Sequence, residues 1–168
     1  MDYIKLMINK DFRNNSIWNY LFTIHNDDID KNSGENLGGF GFENFDYEWL
    51  FERMFVSNFD HSISENASTD ATTSSTCDLD HSNEASWNLL SAVFSRPETK
   101  QDWRNRVYSE VEKLLDELKP VPFSIIVFLL DTYELMDFNK EILRREVRTL
   151  QETDSIRVNY WKFVDSCL

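Results

Sequence analysis

The segment NNSIWNYL at residues 14–21 aligns without gaps with the segment NEASWNLL at residues 83–90. The two copies share their first asparagine, the Trp-Asn pair and the final leucine, and each opens a helical pattern that a second one follows. They lie 69 residues apart, and the separation falls to 43 when a 26-residue stretch of low complexity is left out. Such a period is typical of helical-hairpin repeats, and a third copy without tryptophan centres on Phe128. The sequence therefore predicts an all-α fold of antiparallel helical hairpins.

The spacing of apolar residues predicts about eight helices. Asp2 can cap the first, and later helices start from about Asn15, near Glu43 and after Asn139. Residues 123–136 also fit a buried strand, but the spacing of their later apolar residues favours a central buried helix. Thr153 is predicted to cap a last helix with an apolar stripe that consists of Ile156, Tyr160, Phe163, Val164 and Cys167.

Composition divides the chain into three parts. Residues 1–57 hold the first helical-hairpin repeats, with a loop at 26–42 that contains all four glycines. Residues 58–82 are rich in Ser and Thr and poor in large apolar residues, so we expect a disordered insert there. Residues 83–168 hold the C-terminal helical-hairpin repeats.

The formal net charge of -13 argues against binding to nucleic acid or to an anionic membrane surface, because phosphate groups are held by clusters of Lys and Arg. A neutral or basic protein partner fits better. Cys77 and Cys167 are the two cysteines, and the sequence opens without a basic and apolar signal pattern, so we expect a reducing, cytoplasmic compartment without a disulfide. The spacing of His61, Cys77 and His81 fits no structural zinc site, so we expect no metal site in this chain.

The chain resembles the alpha subunit of protein farnesyltransferase and type I geranylgeranyltransferase. The run DFRNNSIWN at residues 11–19 carries the resemblance, and the segments at 83–88, 128–134 and 154–161 extend it in the order of the family. The insert and the glycine-rich loop fall outside it. Leu21 stands where the family's Trp-Asn motif usually ends in arginine.

The resemblance implies a right-handed superhelical crescent of alpha-alpha hairpins that wraps around a beta subunit. In the family, the beta subunit holds zinc, and in some members magnesium, and it binds the prenyl diphosphate and the C-terminal CaaX cysteine of the acceptor protein. The alpha subunit contributes a lysine from a repeat upstream of the part that this chain resembles. We therefore expect the C-terminal portion of a noncatalytic subunit, which binds no cofactor itself and is not active alone.

The resemblance also implies which residues face the partner. Asn14 corresponds to an asparagine near the diphosphate, although capping the helix of Trp18 explains it equally well. The repeat motif and the partner-docking surface are assigned to Trp18, Asn19, Trp87, Asn88 and Trp161. Trp18 and Trp87 are interpreted first as residues that pack the hairpins.

A second interpretation stays open: a free-standing helical-repeat adaptor that binds a basic protein and has no role in prenylation. The replaced arginine, the missing lysine repeat and the acidic insert favour it. Under either interpretation, a chain that starts within a repeat array is expected to expose apolar surface and to self-associate or be marginally stable. Ile4, Met7 and Ile8 are the residues predicted to form that surface.

Overall fold

The computed structural model describes residues 2–26, 42, 45–56 and 81–168. Within these residues the chain forms eight helices and no strand, which confirms the prediction of an all-α protein. The helices are α1 (Asp2–Lys10), α2 (Asn15–Asn26), α3 (Tyr47–Phe55), α4 (Glu84–Phe94), α5 (Gln101–Glu117), α6 (Phe123–Met136), α7 (Lys140–Thr153) and α8 (Val158–Cys167).

Side chains that accept backbone hydrogen bonds fix where three helices begin. Asp46 accepts from the N–H of Trp49 at the start of α3, Asn83 accepts from two N–H groups at the start of α4, and Asn139 accepts from Glu141 at the start of α7. The prediction that a helix starts after Asn139 is confirmed. The apolar segment at 123–136 is a helix, as its later spacing favoured.

Some helices pack against their neighbours in sequence, and others pack mainly against helices two positions along the chain. α2 packs against α1 and α4, and α4 also packs against α6. α3 packs against α5, α5 against α6, and α7 lies between α6 and α8. One cluster of buried apolar side chains extends through these contacts from Ile4 in α1 to Val164 in α8, so the helices share a continuous core.

Two predicted helix starts are wrong. α3 begins at Tyr47 rather than near Glu43, because the carboxylate of Asp46 caps it. α8 begins at Val158, whereas Thr153 is the last residue of α7. Ile156 therefore lies in the turn between the two helices and is exposed instead of contributing to the buried face of α8.

The prediction that Ile4, Met7 and Ile8 form an exposed apolar surface on α1 is also wrong for two of these three residues. Ile4 and Ile8 are buried in the shared core, while Met7 is partly buried. The exposed apolar residues of α1 are Tyr3 and Leu6 on its other side. The face of α1 that the apolar spacing predicted is therefore packed against the protein. The exposed apolar residues lie on a face that the spacing did not predict.

Parts of the predicted loop and insert lie outside the described residues. These are residues 27–41 of the glycine-rich loop and residues 58–80 of the insert. Phe42, at the end of the predicted loop, is buried beside His25. His81 and Ser82, the last residues of the predicted insert, form a turn that leads into α4. In the part of the chain that the structure describes, no helix has both the length and the apolar character needed to cross a membrane.

Candidate functional site

The two Trp-Asn copies found in the sequence have the same local geometry. Trp18 of α2 donates from Nε1 to the carbonyl oxygen of Phe12 at 2.8 Å, and Trp87 of α4 donates to the carbonyl oxygen of His81 at 2.9 Å. Each acceptor lies six residues before its tryptophan. Both rings are fully enclosed by the protein, so their N–H groups need such partners.

The same two carbonyl groups also connect successive helices of the α2, α4 and α6 series. The oxygen of Phe12 accepts a second hydrogen bond from Nδ2 of Asn83 in the turn before α4. The oxygen of His81 accepts a second one from Oγ of Ser124 in α6, at 2.7 Å. Because Ser124 precedes Phe128 by four residues, as Asn83 precedes Trp87, Phe128 has the place in α6 that Trp87 has in α4. This relation agrees with the third copy that the sequence predicts.

No protein-family model, curated protein or solved structure matches the chain. The similarity that the structure does show is internal: the segments of Trp18 and Trp87 have the same hydrogen bond.

Trp161 in α8, the remaining tryptophan assigned to the repeat motif, uses a different acceptor. Its Nε1 donates to the carboxylate of Asp154, seven residues earlier, at 3.1 Å. The same carboxylate accepts from Arg157 at 3.1 Å, and the Arg157 guanidinium lies 4.1 Å from the ring centre of Phe123 in α6. Asp154 and Arg157 thus attach the start of α8 to the start of α6.

These contacts lower the pKa of Asp154. The hydrogen bond from Trp161 is the largest cause, the hydrogen bonds and charge of Arg157 act in the same direction, and desolvation opposes them. A carboxylate whose pKa is lower in the folded chain adds stability above its usual pKa of 3.8, and that stability is lost as the pH falls through the folded value.

We expect the Asp154→Asn variant to be less stable than the wild type at pH 6, and we expect the difference to shrink as the pH falls below 3.8. Chemical unfolding of both proteins between roughly pH 6 and pH 3 measures it. Asp116→Asn, on the exposed face of α5, is the control for removal of one carboxylate. A difference that stays constant across this range would contradict the role of the Asp154 charge.

The structure separates the predicted docking residues into two groups. Trp18, Trp87 and Trp161 are at most 2% exposed, so their rings pack the interior and touch no partner in this conformation. The interpretation of Trp18 and Trp87 as packing residues fits this burial. A partner can reach Asn19 and Asn88, which are exposed on the same two helices. The sequence motif therefore combines an interior residue with a surface residue.

Asn14 stands immediately before α2, where its Oδ1 accepts from the N–H of Ile17 at 3.4 Å. The side chain is half-buried and acts as the cap of the helix that carries Trp18. The oxygen of the side chain is used by the cap, and its NH₂ group, a donor, is the part that could meet an anion. The hydrogen bond from Ile17 therefore supports the interpretation of Asn14 as a helix cap.

An exposed aromatic residue, Tyr20, adds to the surface marked by Asn19 and Asn88. Tyr20 lies on α2 and is 56% exposed, and it was not assigned a role from the sequence. The equivalent position two residues after Trp87 is Leu89, which is buried. The sequence therefore contained one signal for the exposed position of Tyr20: the first copy of the repeat has a tyrosine where the second copy has a leucine.

Charge is distributed unequally between the helices. α2 contains no Asp, Glu, Lys or Arg, and α4 contains one, Glu84. By contrast, α5 contains eight such residues among 17, and α7 contains seven among 14. The exposed side of α2 is formed by uncharged polar residues and one tyrosine, while on α4 the exposed Asn88 lies one turn after the exposed Glu84. We call the exposed uncharged residues the neutral face: Ser16, Asn19, Tyr20, Thr23 and Asn88.

Several ionizable groups of the described residues have structural contacts. The carboxylate of Asp46 caps α3 and pairs with Lys5 of α1; burial raises its pKa, but the hydrogen bonds from Lys5 and Trp49 outweigh this and leave it lowered. Burial, followed by the neighbouring Glu112, raises the pKa of Tyr108 to about 12. Within the described residues, no group of three or more His, Cys, Asp or Glu is placed to hold a metal ion.

Proposed function

We propose that this chain is a noncatalytic docking subunit, the C-terminal portion of the alpha subunit of a heterodimeric protein prenyltransferase. The observation that carries the proposal is the Trp-Asn motif: its two copies resemble the family in sequence and have the same hydrogen bond from tryptophan to a carbonyl six residues earlier. In this proposal the helices form hairpin repeats of a right-handed superhelical crescent. The contacts between α2, α4 and α6, and between α3 and α5, support that arrangement.

The neutral face is the proposed docking surface. The cores of protein interfaces are depleted of charged residues and enriched in aromatic ones, tyrosine among them. α2 and α4 offer such a surface, whereas the charges of α5 and α7 suit a face in contact with water. Tyr20 would be the main contact, with Asn19 and Asn88 donating and accepting hydrogen bonds around it.

The chemistry of the reaction belongs to the partner in this proposal. The beta subunit would hold the zinc ion and would bind the farnesyl or geranylgeranyl diphosphate and the CaaX cysteine. This chain would hold the beta subunit in its folded shape and offer one polar group to the diphosphate side, the NH₂ of Asn14. Both subunits would then act in the cytoplasm.

Co-expression of this chain with a farnesyltransferase beta subunit from the same source tests the proposal. We expect capture of the beta subunit to recover both proteins, and sizing of the eluate to give a one-to-one complex. The beta subunit expressed with an unrelated helical protein is the control. If the chain stays soluble and does not elute with the beta subunit, the prenyltransferase proposal fails.

One observation favours the second candidate, an adaptor that binds a basic protein. Residues 27–80 carry 13 acidic and 2 basic side chains, so most of the net charge of -13 comes from this part of the sequence. An interaction based on those charges would weaken steeply as salt is added, because exposed charges are screened. Docking through the neutral face would change little with salt, and this difference separates the two candidates.

A further inference from the structure

The helix α4 buries two opposite sides against other helices of the α2, α4 and α6 series. Trp87 and Phe94 contact the ring of Phe128 in α6, so this side of α4 is turned towards α6. Ala85 and Leu89 lie on the opposite side, which is turned towards α2, and they are 6% and 1% exposed. α4 thus buries one side against the helix before it in the series and the other against the helix after it.

The corresponding side of α2 is open to solvent. Ser16 and Tyr20 have the positions in α2 that Ala85 and Leu89 have in α4, and both are exposed. Thr23, about one turn further along the same side, is exposed as well. The helix α1, which also packs against α2, leaves these three residues uncovered. α2 therefore exposes the side that α4 buries against the helix before it.

The hydrogen bonds at the starts of α2 and α4 show the same difference. Oδ1 of Asn14 and Oδ1 of Asn83 each accept from the N–H three residues later at 3.4 Å, so the two side chains have the same relation to their helices. Nδ2 of Asn83 donates to the carbonyl oxygen of Phe12 in the turn before α2. Within the described residues, no acceptor meets Nδ2 of Asn14. This group is therefore available to a carbonyl at the equivalent place beside α2.

We propose that the beta subunit supplies a helix that lies along this open side of α2 and runs in the same direction, in the relation that α2 itself has to α4. Tyr20 then packs between the two helices, and the turn before the partner helix offers a backbone carbonyl to Nδ2 of Asn14. The second N–H of this group remains for the diphosphate side. The inference rests on the proposed docking through the neutral face, and it specifies which element of the partner binds there.

Three properties of this side of α2 favour a helix as the occupant. The same side of α4 is covered by a helix that begins beside the start of α4, and the turn before that helix supplies the carbonyl. Ser16 and Thr23 are small and flank the larger Tyr20, which gives a surface of ridges and grooves suited to the side chains of another helix. α2 contains no Asp, Glu, Lys or Arg, so the contact removes no charge of this helix from water.

The Asn14→Asp variant tests the hydrogen bond to the partner. Aspartate keeps an oxygen for the helix cap but has no N–H to donate. We expect the isolated variant to unfold at the same urea concentration as the wild type, and its affinity for the beta subunit to be about tenfold lower. Asn15→Asp, which makes the same change at the neighbouring exposed position, should bind as the wild type does. An Asn14→Asp variant with wild-type affinity overturns the assigned hydrogen bond.

Asn83→Asp makes the same change where the acceptor lies within the chain. It keeps the cap of α4 but loses the hydrogen bond to the carbonyl of Phe12. We expect this variant to unfold at a lower urea concentration than the wild type and than Asn14→Asp. An unchanged midpoint would show that the bond between successive helices contributes nothing, and the comparison of Asn14 with Asn83 would then fail.

Photocrosslinking tests the presence and the direction of the partner helix. A benzophenone amino acid replaces Ser16 in one sample and Thr23 in another, and each complex with the beta subunit is irradiated. The two positions are seven residues apart, which is about 10 Å along a helix. We expect both to label one helix of the beta subunit, and the residue labelled from position 16 to precede the one labelled from position 23. Labels in the reverse order, or in segments that are not one helix, overturn the proposal.

The outcomes separate this inference from the proposed function. If no complex with the beta subunit forms, both fail. If a complex forms and a charge at Tyr20 weakens it, while Asn14→Asp binds normally and the crosslinks identify no parallel helix, docking through the neutral face stands and this inference alone fails.

Discussion

The free energy of unfolding of the Trp87→Ala variant is expected to be about 3–5 kcal/mol lower than that of the wild type. Trp87 is almost fully buried and contacts the rings of Phe55 and Phe128, so it joins α3, α4 and α6. Its removal also leaves the carbonyl of His81 with one hydrogen bond fewer. Since domains are stable by only about 5–15 kcal/mol, this loss is a large part of the total, and the variant should unfold at a clearly lower urea concentration. Urea denaturation followed by circular dichroism measures the loss.

Two further variants separate the packing of this ring from its hydrogen bond. Trp87→Phe keeps an aromatic ring but lacks the N–H, so it should retain part of the stability that Trp87→Ala loses. Asn88→Ala changes the exposed neighbour and should shift the free energy of unfolding by about 0.5 kcal/mol or less. If Trp87→Ala lowers the free energy of unfolding no more than Asn88→Ala does, the tryptophan does not have the structural role inferred for it.

The Tyr20→Glu variant is expected to weaken binding of the beta subunit by about 2 kcal/mol or more, a factor of roughly 30. The substitution places a charge at the centre of the neutral face, where burial in an interface would remove it from water. Because Tyr20 is half exposed in the isolated chain, the fold should be retained. Surface plasmon resonance on the captured beta subunit measures the change.

Ser109→Glu is the matched control for that experiment. It adds the same charge at an exposed position of α5, a helix already rich in charged residues. Its affinity for the beta subunit should equal that of the wild type. A Ser109→Glu variant that loses as much affinity as Tyr20→Glu would show that overall charge, rather than the neutral face, governs binding.

The helices could be predicted from the sequence because their signals are local. Asn83 and Asn139 mark the starts of α4 and α7, and each one caps its helix through its own side chain. The segment at 123–136 was ambiguous at its apolar beginning, but the spacing of its last turns was that of a helix. Capping and periodicity act over a few residues, so they are visible without knowledge of the tertiary contacts.

The orientation of α8 could not be predicted in the same way. Its sequence offers two apolar stripes, one with Trp161 and one with Phe163, and either could face the core. Tertiary contacts decide between them, because the bond from Trp161 to Asp154 and the ion pair of Arg148 with Asp165 turn the first stripe inward. The helix α1 raised a similar problem, since the helices that cover Ile4 and Ile8 are not evident from the sequence of α1 itself.

The candidate site was predictable in its motif residues but not in its contacts. The repeat identified Trp18, Asn19, Trp87 and Asn88 as equivalent pairs. The acceptors of the tryptophan N–H groups are backbone carbonyls of Phe12 and His81, and every residue has such a group, so no sequence pattern marks them. The neutral face became evident only when the burial of the tryptophans showed which side of α2 and α4 meets the solvent.

Calorimetric titration of this chain with the beta subunit, at low salt and at about 0.5 M salt, tests the central claim most directly. If the chain docks through its neutral face, one beta subunit should bind per chain, and the dissociation constant should change by less than about threefold between the two conditions. Absence of binding at low salt, or binding that disappears at high salt, would contradict docking through the neutral face.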